Sequence, residues 1–163
     1  MINKLNEFEL PYEIIDLSCD GVTFSVNFLS FDEDQTPESI SRGGLIGSFG
    51  IVFREKGLSA EMPCMLTIGN VYDFYDQLKR SYDTLSGTAV LQDYGGRDTC
   101  IEISFEKTGK CKVSGKIKNK SHGASGGIDF EFESDQSYFA YTVAHLEHFF
   151  KELAKLQGHD EFY

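Results

Sequence analysis

The fold is decided by the segment Ile101-Glu102-Ile103-Ser104-Phe105 and the run Cys111-Lys112-Val113-Ser114-Gly115-Lys116-Ile117 that follows it. In both runs, apolar or small residues alternate with polar ones, which is the pattern of a strand with one buried face. Between them, Thr108-Gly109-Lys110 is typical of a turn that reverses the chain. The segment therefore predicts an antiparallel hairpin.

A third strand is predicted after the glycine-rich stretch 121–127, which we interpret as a flexible connection. In this strand the inward residues are Ile128, Phe130 and Phe132, and the outward residues are Asp129, Glu131 and Glu133. An up-and-down meander places these acids beside the outward lysines of the preceding strand, Lys112, Lys116 and Lys118. Opposite charges across strands contribute about 0.2–1 kcal/mol per pair, so we expect these charges to be matched within the sheet.

The N-terminal half predicts two further strand pairs. Asp20-Gly21 separates the strand-like runs 12–19 and 22–28, and this dipeptide favours a two-residue turn with positive φ. A second pair, about residues 45–53 and 58–68, surrounds Glu55-Lys56-Gly57, with Pro63 marking an edge or a bulge. The polar, acidic stretch 32–44 is typical of a loop.

Two segments, about residues 70–85 and about residues 136–157, have the apolar spacing of an amphipathic helix. We predict Asn70 as the N-cap of the first, with Asp73 completing a capping box, and Asp135 as the N-cap of the second. The order of elements predicts an α+β fold. We expect a single domain over residues 1–163, in which a largely antiparallel β-sheet of about 6–8 strands is covered by the two helices.

Composition excludes several classes of function. The chain has 26 Asp and Glu against 15 Lys and Arg, a formal net charge of −11 and a pI near 4.7. Nucleic acids and anionic membranes both attract clustered Lys and Arg, so we expect neither as a partner. The first residues lack an apolar signal segment, and Cys19, Cys64, Cys100 and Cys111 show no C-x-x-C spacing. Both features favour a cytoplasmic protein with buried, reduced thiols.

The motifs of known chemistry are absent from the sequence. His145 and His148 share a helix face without forming H-E-x-x-H, and the stretch 121–127 lacks the Lys and the following helix of a phosphate-binding loop. The acids of 32–38 lack the spacing of an EF-hand. We therefore predict no catalytic residues, no metal and no cofactor, and a protein that is not an enzyme but acts by binding.

The surplus of acids indicates a surface for a basic protein, such as a nuclease toxin that grips RNA in a positive cleft. Acids placed in that cleft would occupy the place of the substrate's phosphates, and long-range attraction would accelerate association. Tyrosine is enriched at binding hot spots, although each tyrosine is also compatible with the edge of the core. The candidate contacts are Asp32, Glu33, Asp34, Glu38, Tyr72, Asp73, Tyr75, Asp76, Asp83 and Tyr94, with Tyr138 and Tyr141 as further aromatic candidates.

The C-terminal half resembles the WapI-type immunity proteins, bacterial antidotes to the toxin tail of a wall-associated contact-dependent toxin. The resemblance lies in the order of residues 100–105, 109–113 and 130–139, and above all in Asp135-Gln136-Ser137-Tyr138 after an F-x-F strand. It covers about residues 45–156, and Phe139 stands where the pattern has Leu.

This resemblance implies a cytoplasmic protein that binds and neutralises a cognate toxin domain, with a basic nuclease such as an RNase as the expected toxin, and it indicates no contact residues. The alternative from the sequence is a generic ligand- or protein-binding α+β module, and the oligomeric state stays open.

Overall fold

Two four-stranded antiparallel sheets follow one another along the chain, and each is followed by a helix. The computed structural model describes residues 9–31, 46–93, 96, 98–121 and 124–157. The first half comprises β1 Tyr12–Cys19, β2 Val22–Phe31, β3 Ile46–Glu55, β4 Leu58–Thr67 and α1 Ile68–Thr84. The second comprises β5 Gly87–Gln92, β6 Thr99–Phe105, β7 Lys110–Ser121, β8 Ala124–Asp135 and α2 Phe139–Gln157. The predicted α+β class is confirmed.

The N-terminal sheet has the strand order β1-β2-β3-β4. Its first turn confirms the prediction from Asp20-Gly21, because both residues have positive φ, 48° and 85°. Alternate residues of β2, from Val22 to Phe28, are buried, as the period of two requires. Pro63 lies in the edge strand β4, where a missing N–H interrupts no pairing within a sheet interior.

The C-terminal sheet has the order β5-β6-β7-β8, and its last two strands pair over twelve residues each. The predicted matching of charges is confirmed for Lys112, whose Nζ lies 2.8 Å from Glu131 Oε2, and for Lys116, whose Nζ lies 3.6 Å from Asp129 Oδ2. It is wrong for Lys118, because the register places this lysine opposite Gly127.

Two predictions for this sheet are corrected. The short strand β5 was not predicted at all. The stretch 121–127 is not simply a flexible connection, because Ala124–Gly127 pair with Lys118–Ser121 as part of β8. His122 and Gly123 lie outside the described residues. A Cβ on Gly127 would stand 2.8 Å from the carbonyl oxygen of Ile117, so glycine permits a close approach of two strands here.

The first helix begins two residues earlier than the predicted 70–85. Thr67 is its N-cap, and its hydroxyl oxygen accepts a hydrogen bond from the backbone N–H of Asn70 at 3.0 Å. The side-chain oxygen of Asn70 accepts from the backbone N–H of Thr67 at 3.2 Å, which completes a capping box. Asn70 is therefore the third residue of the helix rather than its cap, and Asp73 has no part in the box.

The second helix is entered through a 3-10 turn, Gln136–Tyr138. Asp135 caps this turn as predicted, because its side chain accepts from the backbone N–H of Ser137 at 2.9 Å. Hydrogen bonds from the backbone and the side chain of Ser137 hold the pKa of the Asp135 carboxyl below its usual value. The α-helix itself begins at Phe139, three residues beyond the predicted start at 136. Neither helix in the described ranges is long and apolar enough to cross a membrane.

One hydrophobic cluster joins side chains from both sheets and both helices. Its centre is aromatic: the ring centroid of Phe130 in β8 lies 4.6 Å from that of Phe53 in β3 and 5.2 Å from that of Phe24 in β2. Phe149 of α2 meets Phe28 of β2 at 5.8 Å. All four cysteines are free, and only Cys100 is not buried.

Candidate functional site

The predicted acidic contacts on α1 lie on its solvent face. Asp73, Asp76 and Asp83 are all exposed. Asp76 forms an ion pair with Arg80, and Asp83 Oδ2 lies 3.7 Å from Lys79 Nζ. Such exposed i,i+4 pairs contribute about 0.3–0.5 kcal/mol. A Lys or Arg of a binding partner can therefore replace Arg80 or Lys79 beside these carboxylates. Asp73 has no ion-pair partner among the described residues.

The two tyrosines predicted beside these acids are half-buried. The rings of Tyr72 and Tyr75 pack on Phe150 of α2, with centroid distances of 5.0 and 5.6 Å. Burial raises the pKa of Tyr75 to about 12. Both side chains therefore help to hold the two helices together, and a role in partner binding stays a prediction that rests on their exposed edges.

The remaining predicted contacts, Asp32, Glu33, Asp34, Glu38 and Tyr94, lie outside the described residues. Of the predicted set, the structure brings together the members on α1. It also brings Asp73 beside an acid that the sequence did not link to it, because Asp73 and Glu102 line one polar groove between α1 and the C-terminal sheet.

His145, considered as half of a metal pair, holds α2 against β1. Its Nδ1 lies 3.1 Å from the carbonyl oxygen of Glu13, so Nδ1 carries the proton and donates. Its Nε2 then accepts from the hydroxyl of Tyr141 at 3.0 Å, and the two rings stack at 4.4 Å. Among the described residues, no group of three or more His, Cys, Asp or Glu could hold a metal ion.

A second acidic surface, which the sequence had assigned only to charge matching, lies on β8. Asp129 and Glu131 retain 73% and 62% of their side-chain exposure despite the lysines beside them. Exposed ion pairs are worth about 0–1 kcal/mol. These carboxylates are therefore accessible to a cationic partner. No local pattern shows that β8 is the last strand of its sheet, because this depends on the two halves forming separate sheets.

The comparison with protein families agrees with this arrangement of elements. The model of the Immunity protein WapI-like family matches residues 14–154, which run from β1 into the last turns of α2. The chain belongs to this family. The match confirms the resemblance noted from the sequence and extends it to the N-terminal hairpin. No curated protein and no solved structure matches the chain.

In this WapI-like immunity protein, α1 and β8 both carry exposed carboxylates. The exposed carboxylates of α1 and β8 offer hydrogen-bond acceptors and negative potential to Lys and Arg side chains. They are held on a helix and a strand whose inner faces are fixed in the common core, so they are presented in a defined geometry.

Proposed function

We propose that this WapI-like immunity protein binds and neutralises a cognate toxin domain in the cytoplasm, and that the toxin is a basic nuclease. Family membership over residues 14–154 is the observation that carries the proposal. The net charge of −11 supports a basic partner, since complementary charge favours rapid and specific association. Inhibition then needs no reaction on the immunity protein, because a bound acidic surface excludes RNA from the toxin's positive cleft.

Co-expression tests the proposal directly. The toxin domain encoded beside this chain is induced in cells with and without the immunity protein. We expect growth to be restored, the two purified proteins to elute as a complex, and the complex to weaken as salt rises, because ions screen exposed charges beyond about 10 Å at 0.1 M. Loss of viability despite abundant immunity protein, together with no complex at low salt, would contradict the proposal.

The nuclease assignment has its own measurement. Purified toxin is incubated with total RNA while the immunity protein is titrated in. We expect cleavage to stop once the two proteins are equimolar, as for inhibition by occlusion. If the toxin binds the immunity protein but degrades neither RNA nor DNA, the proposed immunity function stands and the nuclease assignment is wrong.

The α1 contacts are tested by reversing Asp73, Asp76 and Asp83 to Lys together. We expect association with the toxin to slow by about tenfold or more, since steering depends on the local potential. The matched control reverses the exposed acids of the N-terminal sheet, Asp16, Glu55 and Glu61, and changes the net charge equally. Equal slowing in both triple variants would show that net charge, and not the α1 face, matters.

A further inference from the structure

The outer edge of β8 differs from the other three sheet edges. At the edge of β1, the carbonyl of Glu13 accepts a hydrogen bond from His145 of α2. At the edge of β5, the backbone N–H of Val90 donates to Gln77 Oε1 of α1 at 2.9 Å. The edge strand β4 contains Pro63. Helices and prolines are common devices that keep an edge from pairing with another chain. Among the described residues, β8 contains no proline and no helix side chain bonds its outer edge.

The hydrogen bonds around β8 identify the backbone groups that point outward. The N–H of Gln136 donates to the carbonyl of Gly109 at 2.8 Å, and the register continues with Ser134 opposite Cys111 and Phe132 opposite Val113. In an antiparallel strand the N–H and C=O of one residue point the same way and alternate between residues. Even-numbered residues of β8 therefore pair with β7, and odd-numbered residues point away.

Two contacts are consistent with this alternation. Lys118, an even-numbered residue of β7, donates its N–H to Asp98 on the β6 side. The carbonyl of Glu133, an odd-numbered residue of β8, lies 3.9 Å from the thiol of Cys19, which approaches from outside the sheet. Among the described residues, no protein group bonds the outward N–H and C=O of Asp129 and Glu131. The free edge, residues 125–131, is long enough for a strand of common length.

The side chains along this edge determine which charge an added strand must carry. Because Phe130 faces the core, Asp129 and Glu131 project from the outer face of the sheet beside the same backbone groups. A second β8 would bring like charges opposite one another, which destabilises cross-strand pairs. A strand that carries Lys or Arg would instead continue the alternation of charge from strand to strand, which is positive on β7 and negative on β8.

We propose that an extended basic segment of the toxin adds to this edge as a further strand, with its cations opposite Asp129 and Glu131. This inference rests on the proposed function and specifies how the partner binds. Backbone hydrogen bonds to the outward groups supply affinity, and alternate side chains against the acidic row supply specificity. No acid lies at Ser125 or Gly127, and Lys118 stands opposite Gly127. Cations of the partner are therefore not expected at that end.

The test separates the charge of the edge from its backbone. The charge variant is Asp129→Lys with Glu131→Lys, and its control is Glu55→Lys with Glu61→Lys, exposed acids of the N-terminal sheet that change the net charge equally. The backbone variant is Glu131→Pro, which removes an N–H that takes no part in pairing with β7. Its control is Glu61→Pro, an exposed acid two residues from Pro63 in the edge strand β4.

Binding of each variant to the toxin domain encoded beside this chain is measured by calorimetry, after circular dichroism and thermal unfolding have verified the fold. We expect both edge variants to bind about tenfold more weakly or worse, and both controls to bind nearly as the wild type does. Folded edge variants that bind like their controls would overturn strand addition and leave the proposed function intact. A wild-type protein that does not bind would overturn both.

Hydrogen exchange of the wild-type complex provides a readout that does not depend on any substitution. Strand addition should slow exchange at the amides of Asp129 and Glu131 by about tenfold or more, because each gains a backbone acceptor. Unchanged exchange at these two amides in a saturated complex would place the toxin elsewhere on the molecule.

Discussion

At the residue scale, glycines on the inner faces of the sheets make room for the phenylalanines that fill the core. A Cβ on Gly115 of β7 would collide with the ring of Phe130, which is stacked on Phe53 from the other sheet. Gly47 of β3 has the same relation to Phe28, since its Cβ would stand 2.5 Å from that ring. The sequence has 14 Phe and no Trp. Some of these phenylalanine rings fit in the core only because the residue facing them is a glycine.

Replacing Gly115 with Ala tests this relation. We expect a loss of about 1–3 kcal/mol in the free energy of unfolding, because an added methyl forces the Phe130 ring out of a packed site. The matched control is Gly126→Ala in β8, where a Cβ would meet no atom within 4 Å. Urea unfolding provides the measurement. Equal stabilities for the two variants would contradict the proposed packing.

The thiol of Cys64 gives a second prediction at this scale. Burial raises its pKa from the ordinary 9.0 to about 12. Because the pKa is raised in the folded state, the buried neutral thiol contributes fully to the free energy of unfolding below pH 9. This contribution is lost as the pH rises from 9 to 12. We expect Cys64 not to react with Ellman's reagent in the native protein at pH 8 and to react in urea. Rapid labelling of native Cys64, identified by mass spectrometry, would contradict its burial.

At the element scale, each helix packs against the first strand of the sheet that it does not directly follow in the chain. The helix after the first sheet packs on β5, and the helix after the second packs on β1. Gln77 and His145 make equivalent contacts there, each bonding one backbone group at the outer edge of a sheet. The two halves thus share an order of four strands and a helix, although no periodic repeat is visible in the sequence.

Gln77→Ala tests whether such an edge contact contributes to stability. The substitution leaves the N–H of Val90 without its protein acceptor, and we expect a cost of about 1 kcal/mol, since water can partly replace the lost bond in the polar groove. Exchange of the Val90 amide should accelerate. The control is Gln92→Ala on the same strand, where the side chain is exposed. An unchanged exchange rate at Val90 would argue against the contact.

The elements that could be predicted from the sequence are those with local causes. The β1–β2 hairpin follows from Asp20-Gly21, and the buried faces follow from alternation. The start of α1 was missed because Thr67 both ends a strand and caps the helix, which only the paired register reveals. The meander of β6, β7 and β8 was predicted from neighbouring strands, but no local signal shows that the two halves form separate sheets. The free edge of β8 could therefore not be predicted. Local sequence signals therefore indicated the acids of α1 and did not distinguish Asp129 and Glu131 as a binding surface.

At the scale of the whole molecule, we propose that the two halves form one domain. The core cluster includes side chains from every strand and both helices, and its aromatic centre joins Phe24 and Phe53 of one sheet to Phe130 of the other. Neither sheet buries its inner face without the other, so we expect neither half to be stable alone. Such a core predicts a single cooperative transition, as small domains generally show.

Phe53→Leu tests this coupling between the halves. We expect the substitution to lower the free energy of unfolding by about 0.5–3 kcal/mol. The hydrogen-exchange protection of Ile101 and Ile103 in the C-terminal sheet should fall by the same free energy as the protection of Val26 and Ile51 in the N-terminal sheet. Urea unfolding followed by far-ultraviolet and near-ultraviolet circular dichroism should give coincident curves. The control is Leu29→Ala, an exposed residue of β2 that should change stability by less than about 0.5 kcal/mol. Destabilisation confined to the N-terminal sheet, or two separate transitions, would show that the halves unfold independently and that the immunity protein is two domains.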